Sequence, residues 1–576
     1  MSQNRKWFSL VSLLIVAAVL ISACAPVTTP TTPPPQPTQP PPPPTQPPKP
    51  TEVPTEAPPA FEPMSYSAPD CNYGGIMKSI EAVDEHTVKF TECEPDPAFP
   101  SKVAFSSLGI HSAKQLEETG GGGELLEKAL GTGPYMVKEW VRGDHLTLVA
   151  NPNYWGDPPK TKTIIFKWNS EAAARLTALK SGEADGIDNP GRDDFEAIKA
   201  DPSLALYPRT AMNVFYVGMN NTLEPFDDEQ VRQAIAMGID RQAIVDKFYP
   251  PGSEAASHFT PCIIPGGCEG EAWYEYNPEK AKELLAAAGY AKGFDVTLSY
   301  RDVVRGYLPT PGKVAEEIQS QLKQYGIKVT IEVQESGTFI ANAGAGKLPF
   351  FLLGWGADYP DMTDFLDVFF GQGASPRFGA PHEDIVKLLA EARTLSDQAK
   401  RNELYAKANT LIKRHAPMVA VAHGGSADVF SADVKGAHSS PLSTEIWKVL
   451  EAPGKDTLVW MQNAEPLSLY CADESDGETL RACEQVFDAL LSYKIGGTEV
   501  EPGLAEKCEP NADLSEWTCT LREGAKFSDG TPVTANDVVM TFAVQWDAKH
   551  PLHVGNSGLF EYWTFLFASF LNPPAQ

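Results

Sequence analysis

Residues 295–355 read DVTLSYRDVVRGYLPTPGKVAEEIQSQLKQYGIKVTIEVQESGTFIANAGAGKLPFFLLGW. Residues 295–300 alternate apolar and polar side chains, the period of a strand. Residues 312–325 place Val314, Ile318 and Leu322 on one helical face. Residues 328–333 return to the strand period, and 338–345 predict a short helix ending in small residues. Residues 349–355 form a nearly unbroken apolar run, as expected of a strand buried on both faces. The unit is strand–helix–strand–helix–strand, and the crossover rule makes its strands parallel. Just upstream, Asn277-Pro278 opens a helix that Gly289 closes. Strand-like and helix-like segments alternate through the whole body, which is therefore α/β.

In open α/β sheets, ligands bind at the carboxyl ends of strands. Two charged segments fall there. Residues 301–307, with Arg301, Asp302 and Arg305, follow the first strand. Asp358-Tyr359-Pro360-Asp361 follows the third. A cation and an anion at one sheet edge suit a zwitterion, such as a peptide with a free amine and carboxylate. Ordinary loop charges, or charges that pair with each other, account for the same pattern.

Arg5 and Lys6 precede an apolar run, residues 7–21, too short and wrongly flanked for a membrane-spanning helix. The run ends in Ile21-Ser22-Ala23-Cys24, which resembles a bacterial lipobox. The resemblance implies removal of residues 1–23 as a signal peptide and lipidation of Cys24; a plain secretory signal with a chance cysteine is the alternative. Either way the body is exported. Residues 24–63 then form a tether rich in Pro, Thr and Gln, with almost nothing to build a core. Proline favours extended polyproline II, so at about 3.1 Å per residue the tether reaches on the order of 100 Å.

The remaining body, about 510 residues, suffices for two or three lobes with cores of their own. The formal net charge of -28 argues against nucleic acid as a partner. With Cys24 set aside, eight of the nine cysteines fall into close pairs. In an exported chain an even number favours disulfides. The preferred connectivity is sequential: Cys71 with Cys93, Cys262 with Cys268, Cys471 with Cys483, and Cys508 with Cys519, with free buried thiols in one or two pairs as the alternative. Cys508 and Cys519 flank a polar turn between two strand-like runs, which suits a cross-strand bridge. No HExxH, GxSxG or GxxxxGK[ST] pattern occurs, so no catalytic constellation, metal or cofactor is expected. Gly120 to Gly123 reads as a loop, His415 and His423 as core or surface residues, and Asp227-Asp228 as a helix cap.

The octapeptide Gly354-Trp355-Gly356-Ala357-Asp358-Tyr359-Pro360-Asp361 resembles the ligand-loop motif of bacterial family 5 solute-binding proteins, the oligopeptide- and dipeptide-binding proteins of ABC importers. GTGPY at 131–135, NPNYW at 151–155, PFDDEQVRQAI at 225–235 followed by Ile239-Asp240-Arg241, and LREGAKFSDGTPVTANDVV at 521–539 extend the resemblance. Together they cover most of the chain after about Tyr66. The resemblance implies a periplasmic-binding-protein-like fold (type II, cluster C): two lobes closing on a hinge, an extra domain and mixed sheets. The order of the motifs departs from the family. Residues 456–493 and 521–539 resemble segments usually near the mature N-terminus, yet here they come last, while VDEHTVKF, usually downstream of them, opens the body. The parts read as a circular permutation, with the usual ends joined through 451–455 and new ends near Ser65 and Asn572. A fused or truncated second copy is the alternative, but 64–120 hold no equivalent of 521–539. Mapped this way, lobe I combines 125–258 with 435–492, lobe II combines 493–576 with 64–124, and lobe III, the ligand-binding lobe, is 259–434.

By the same resemblance, Asp358 corresponds to the aspartate that holds the ligand α-amino group, and Arg305, in VVRGYLP, to the arginine that clamps a dipeptide carboxylate. A charge-assisted contact strengthens in a closed, dry cleft, and the planar guanidinium fork suits a carboxylate. Backbone groups of Gly354 and Gly356 would pair with the ligand main chain, and Trp355, Tyr359 and Tyr307 would line the pocket. The implied protein is a monomeric extracytoplasmic lipoprotein, in the periplasm or on the outer cell face. It captures oligopeptides or dipeptides by hinge closure and delivers them to ABC permease subunits with cytoplasmic ATPases. An oligosaccharide, a nickel complex or an opine is the alternative ligand on the same fold; an exported, tethered hydrolase is the alternative of another class.

Overall fold

The computed structural model describes residues 61–573. Signal, Cys24 and nearly all of the tether lie outside the described residues. Three sheets organise the body. A seven-stranded mixed sheet runs in the order Tyr135–Val141, His145–Ala150, Thr163–Trp168, Thr457–Gln462, Gly186–Asp188, Ser426–Ser431, Leu204–Arg209. Thr457–Gln462 lies at its centre, parallel to both neighbours. Trp447 and Trp460, both fully buried, fill the core beneath it with Phe166 and Phe430.

A six-stranded sheet runs Glu254–Ala255, Met418–His423, Asn213–Met219, Phe350–Gly356, Asp295–Arg301, Lys328–Gln334. The last three are parallel, as the crossover rule requires, with helices Pro311–Leu322 and Ser336–Gly344 between them. Phe350 and Leu352 enter one core while Phe351 and Leu353 enter the other, which explains the unbroken apolar run: this strand is covered on both faces. Helix Pro311–Leu322 buries Val314, Ala315, Ile318 and Leu322 against one face. Helices Glu383–Ala392 and Gln398–His415 cover the other.

The third sheet is antiparallel, in the order Ser65–Ser67, Met77–Asp84, Thr87–Glu92, Glu516–Leu521, Ala505–Pro510. Helix Ala535–Trp546, opened by a capping box of Thr534 and Asp537, packs on it. The start of the described chain meets its end here. Met64 N donates to Asn536 Oδ1 at 2.8 Å, and Ile76 N to the Phe567 carbonyl at 3.0 Å. All four sequential cysteine pairs are disulfides, and Cys508 and Cys519 sit directly opposite each other in adjacent antiparallel strands.

The sheets correct two boundaries drawn from sequence. Asn213–Met219 and the helices Glu229–Gly238 and Arg241–Phe248, expected in lobe I (125–258), pack with the six-stranded sheet. Ser426–Ser431, expected in lobe III (259–434), belongs to the seven-stranded one. The strand period marks both segments as strands but does not name the sheet each one joins, which long-range pairing decides. The chain therefore crosses between these sheets at 210–212 and 424–425. The two crossings are tied together: Asn213 Nδ2 donates to the Gly424 carbonyl at 2.7 Å, and Gly424 N donates to Asn213 Oδ1 at 2.8 Å. A Cβ on Gly424 would lie 2.2 Å from the Gly306 carbonyl oxygen, so only glycine lets the strap pass the 301–307 loop.

Candidate functional site

A cleft of about 460 Å³ opens between the six- and seven-stranded sheets and is bounded by helix Glu561–Phe567 of the third layer. Its position follows from the strand directions. Arg301 ends the first parallel strand and Gly356 the last, so both loops that follow open at one edge. Six of the seven residues expected at the ligand site line this cleft: Asp358, Arg305, Trp355, Gly354, Gly356 and Tyr307.

Asp358 is buried. Its backbone N donates to Asp364 Oδ2 at 2.9 Å, and its Oδ1 accepts from the Tyr562 hydroxyl at 2.9 Å. Its Oδ2 has no partner among the described residues. Burial pushes the Asp358 carboxyl up to about 7, against the hydrogen bond from Tyr562, which lowers it. Asp364 rises too, from burial first and from the neighbouring Asp358 charge second. A buried carboxylate with one committed and one open oxygen is a receptor for a cation.

Strand Phe350–Gly356 pairs with Asn213–Met219 along its length, but its pairing with Asp295–Arg301 stops at Phe351. The other edge of 352–356 carries no strand, which leaves backbone groups of this segment available on the cleft side. The Tyr307 ring lies against Gly354, where a Cβ would meet it at 2.3 Å. The Trp355 ring packs edge-on against Phe369 at 5.3 Å and Phe565 at 5.4 Å. Arg305 is presented by a tight turn closed by Leu308 N donating to the Arg305 carbonyl at 2.9 Å. Its side chain donates only to the Val304 carbonyl, at 3.2 Å, and no carboxylate lies within 4.0 Å among the described residues. The Arg305 charge lowers the Asp476 carboxyl, which burial pushes up to about 6.

Tyr359 corrects the expectation. It is fully buried and turned away from the cleft into the core of the antiparallel sheet, with its hydroxyl 3.0 Å from Thr363 Oγ1 and its ring near the Lys102 ammonium. It packs the two layers together instead of lining the pocket. Sequence reasoning also missed cleft residues. Arg377, Asp476, Tyr562 and Phe565 all line it. Tyr562 and Phe565 come from the far end of the chain, where EYWTFLF shows no helical face to single them out. Outside the cleft, His382, Asp384 and His415 come close enough to suggest an ion site. The two imidazoles stack in parallel planes 12° apart, however, and His415 already meets Glu229 at 2.9 Å and Asp384 at 3.1 Å. Parallel rings cannot share one in-plane ion without rotating, so this group is a hydrogen-bonded cluster of side chains.

The family model for bacterial extracellular solute-binding proteins, family 5 (middle), matches residues 30–377 and 499–558. The chain belongs to this family. Its relatives are named as binding proteins, not enzymes. Di/tripeptide-binding protein 1 of Pseudomonas aeruginosa is 35% identical over 354 residues, 60% of this chain and 65% of the relative. The dipeptide-binding protein of P. aeruginosa is 34% identical over 382 residues, 64% of this chain and 71% of the relative. The chain thus spans about two thirds of the curated relatives it matches. Among solved structures, the periplasmic binding protein DppA of Helicobacter pylori in complex with the peptide STSA superposes with a TM-score of 0.57 at 30% identity, covering 63% of this chain and 72% of that one. The dipeptide-binding protein of a Pseudoalteromonas species in complex with Met-Leu gives a TM-score of 0.58 at 26% identity, covering 65% and 75%. The family fold is thus periplasmic-binding-protein-like. No helix among the described residues is long and apolar enough to cross a membrane.

Proposed function

We propose that this solute-binding protein captures small peptides and hands them to an ABC permease. The observation that carries the reading is the buried Asp358 carboxylate, with one oxygen held by Tyr562 and the other without a partner among the described residues, in a cleft that also carries Arg305, which meets no carboxylate among them. An ammonium at Asp358 and a carboxylate at Arg305 would satisfy both, and the free strand edge at 352–356 suits a peptide main chain. Relatives named for di- and tripeptides point the same way. The test is mass spectrometry of small molecules released when the purified protein is denatured. Di- or tripeptides are expected; a sugar, an opine or a nickel complex in their place would replace the reading.

The proposal includes lipidation of Cys24 and the tether of 24–63. Cys24→Ser should then release the protein from the membrane fraction, and unchanged membrane retention would remove the anchor. It also includes the rotated order of parts. Three observations support it: the separate family match at 499–558, colinear matches limited to about two thirds of each relative, and the meeting of the described ends at one layer. A chain rearranged to begin near Asp456, with 573 joined to 64, is expected to fold and bind like the parent.

A further inference from the structure

Arg301 and Arg377 line the same cleft wall as Arg305, and neither has a carboxylate within 4.0 Å among the described residues. Both are half-buried and held by hydroxyl groups alone. Arg301 donates from Nη1 to Ser336 Oγ at 3.1 Å and from Nη2 to the Tyr307 hydroxyl at 3.3 Å. Arg377 donates from Nε to Ser375 Oγ at 2.8 Å and from Nη1 to the Tyr216 hydroxyl at 3.4 Å. The Arg377 guanidinium also lies over the Phe369 ring, 4.8 Å from its centroid. Both guanidiniums line the one cleft: Arg377 reaches the hydroxyl of the fully buried Tyr216, and Arg301 reaches that of Tyr307, which lines the cleft with them. In a chain of net charge -28, acidic partners abound, yet these guanidiniums face a cavity and share neutral hydroxyls. A half-buried guanidinium held by neutral hydroxyls alone gains most from an anion, which adds charge-assisted hydrogen bonds that the hydroxyls do not supply. Of the acids lining the cleft, Asp188, Asp476 and Glu478 stand on the seven-stranded side, where Asp188 is already paired with Arg175 and Arg481; Glu561 stands on the helix of the third layer, and Asp358 is held by Tyr562.

We propose that Arg301 and Arg377 form a second anion subsite, distinct from the Arg305 clamp, that takes the side-chain carboxylate of an Asp- or Glu-containing peptide. This rests on the peptide reading above: Asp358 takes the amine, Arg305 the terminal carboxylate, and the remaining two arginines the side chain. Two planar forks, braced by hydroxyls, offer a carboxylate several charge-assisted hydrogen bonds that an amide cannot replace.

The experiment is calorimetry on the full chain, without an affinity tag, using Ala-Glu, Glu-Ala, their Gln isosteres and Ala-Lys. At least one Glu peptide should bind about 10-fold or more tighter than its Gln isostere, and that ratio should fall toward 1 in Arg301→Gln and in Arg377→Gln. If a Gln variant fails to fold, Arg301→Lys and Arg377→Lys serve in its place, since each keeps the charge but loses the planar fork and should still lower the ratio. Equal affinities for Glu and Gln peptides, or tighter binding of Ala-Lys, would overturn the subsite while leaving the peptide reading intact. A preference that survives both substitutions would overturn its assignment to this pair. No binding of any of the five peptides would remove the peptide reading, and this inference with it.

Discussion

The two walls of the cleft use their arginines in opposite ways. On the seven-stranded side, the arginines are buried in a paired network with carboxylates, although Asp476 there keeps an unpartnered oxygen among the described residues. Arg209 meets Asp428 at 2.8 Å and Glu445 at 2.7 Å, and Arg481 meets Glu445 at 2.9 Å and Asp188 at 3.2 Å. Burial works against ionisation there, yet the Arg209 and Arg481 charges hold Glu445 well below the ordinary carboxylate range. On the six-stranded side, Arg301, Arg305 and Arg377 meet no carboxylate among the described residues, and Asp358 keeps an oxygen without a partner among them. Charges that satisfy one another brace the fold; charges left open await something that is not the protein.

The comparison breaks most visibly by removing one member of each wall. Arg209→Met leaves the buried Asp428 without its salt-bridge partner, while Glu445 keeps Arg481 at 2.9 Å, and should cost about 3–5 kcal/mol of stability, read from denaturant unfolding. A change below about 1 kcal/mol would mean that the network is solvated and does not brace the hinge crossing it adjoins. Asp358→Asn should do the reverse. It should leave stability almost unchanged and weaken a free-amine dipeptide by about 2–5 kcal/mol, at least about 30-fold, in calorimetry. The pH dependence has a fixed sign. The Asp358 carboxyl, raised to about 7, is ionised above that pH and protonated below it, and only the ionised form pairs an ammonium. Affinity should therefore fall as pH drops through 7, with proton release on binding in that window, and Asp358→Asn should flatten the profile. Next in size is Arg305→Gln. A dipeptide with a free carboxylate should bind about 10-fold more weakly, whereas its carboxyl amide should bind the two proteins alike. Equal losses for acid and amide would remove the clamp.

The contrast between the walls also marks what the sequence could disclose. The strand–helix–strand–helix–strand unit was legible because its periods are local, and Asp358 and Arg305 were legible because they follow strand ends. Tyr359 misled because it sits in a turn, where no period sets side-chain direction; packing into the neighbouring core around Lys102 decided it. The swap of Asn213–Met219 and Ser426–Ser431 between sheets was hidden because a strand's local period reads the same whichever sheet it joins. Arg377 stands in the short turn Pro376–Phe378, and Tyr562 lies 204 residues from the aspartate it touches. Neither carries a spacing signal. Paired disulfides were within reach because each bridge spans only 6 to 22 residues of sequence.

Tyr562 gives the smallest expected effect and the finest division between the two kinds of charge. Its hydroxyl donates to Asp358 Oδ1, while Oδ2 has no hydrogen-bond partner among the described residues. Tyr562→Phe should therefore cost about 1 kcal/mol of dipeptide affinity at pH 8, about fivefold. A packing role for the ring would survive the substitution, since Phe keeps the edge-to-face contact with Phe105 at 4.7 Å. A role in tuning the anchor would not. Because the Tyr562 hydrogen bond lowers the Asp358 pKa against burial, its loss should raise that pKa further and move the acid limb of binding to higher pH. An affinity loss without that shift would make Tyr562 part of the cleft wall only. A shift with the expected sign would show that the open charge of Asp358 is held open by a residue from the opposite end of the chain.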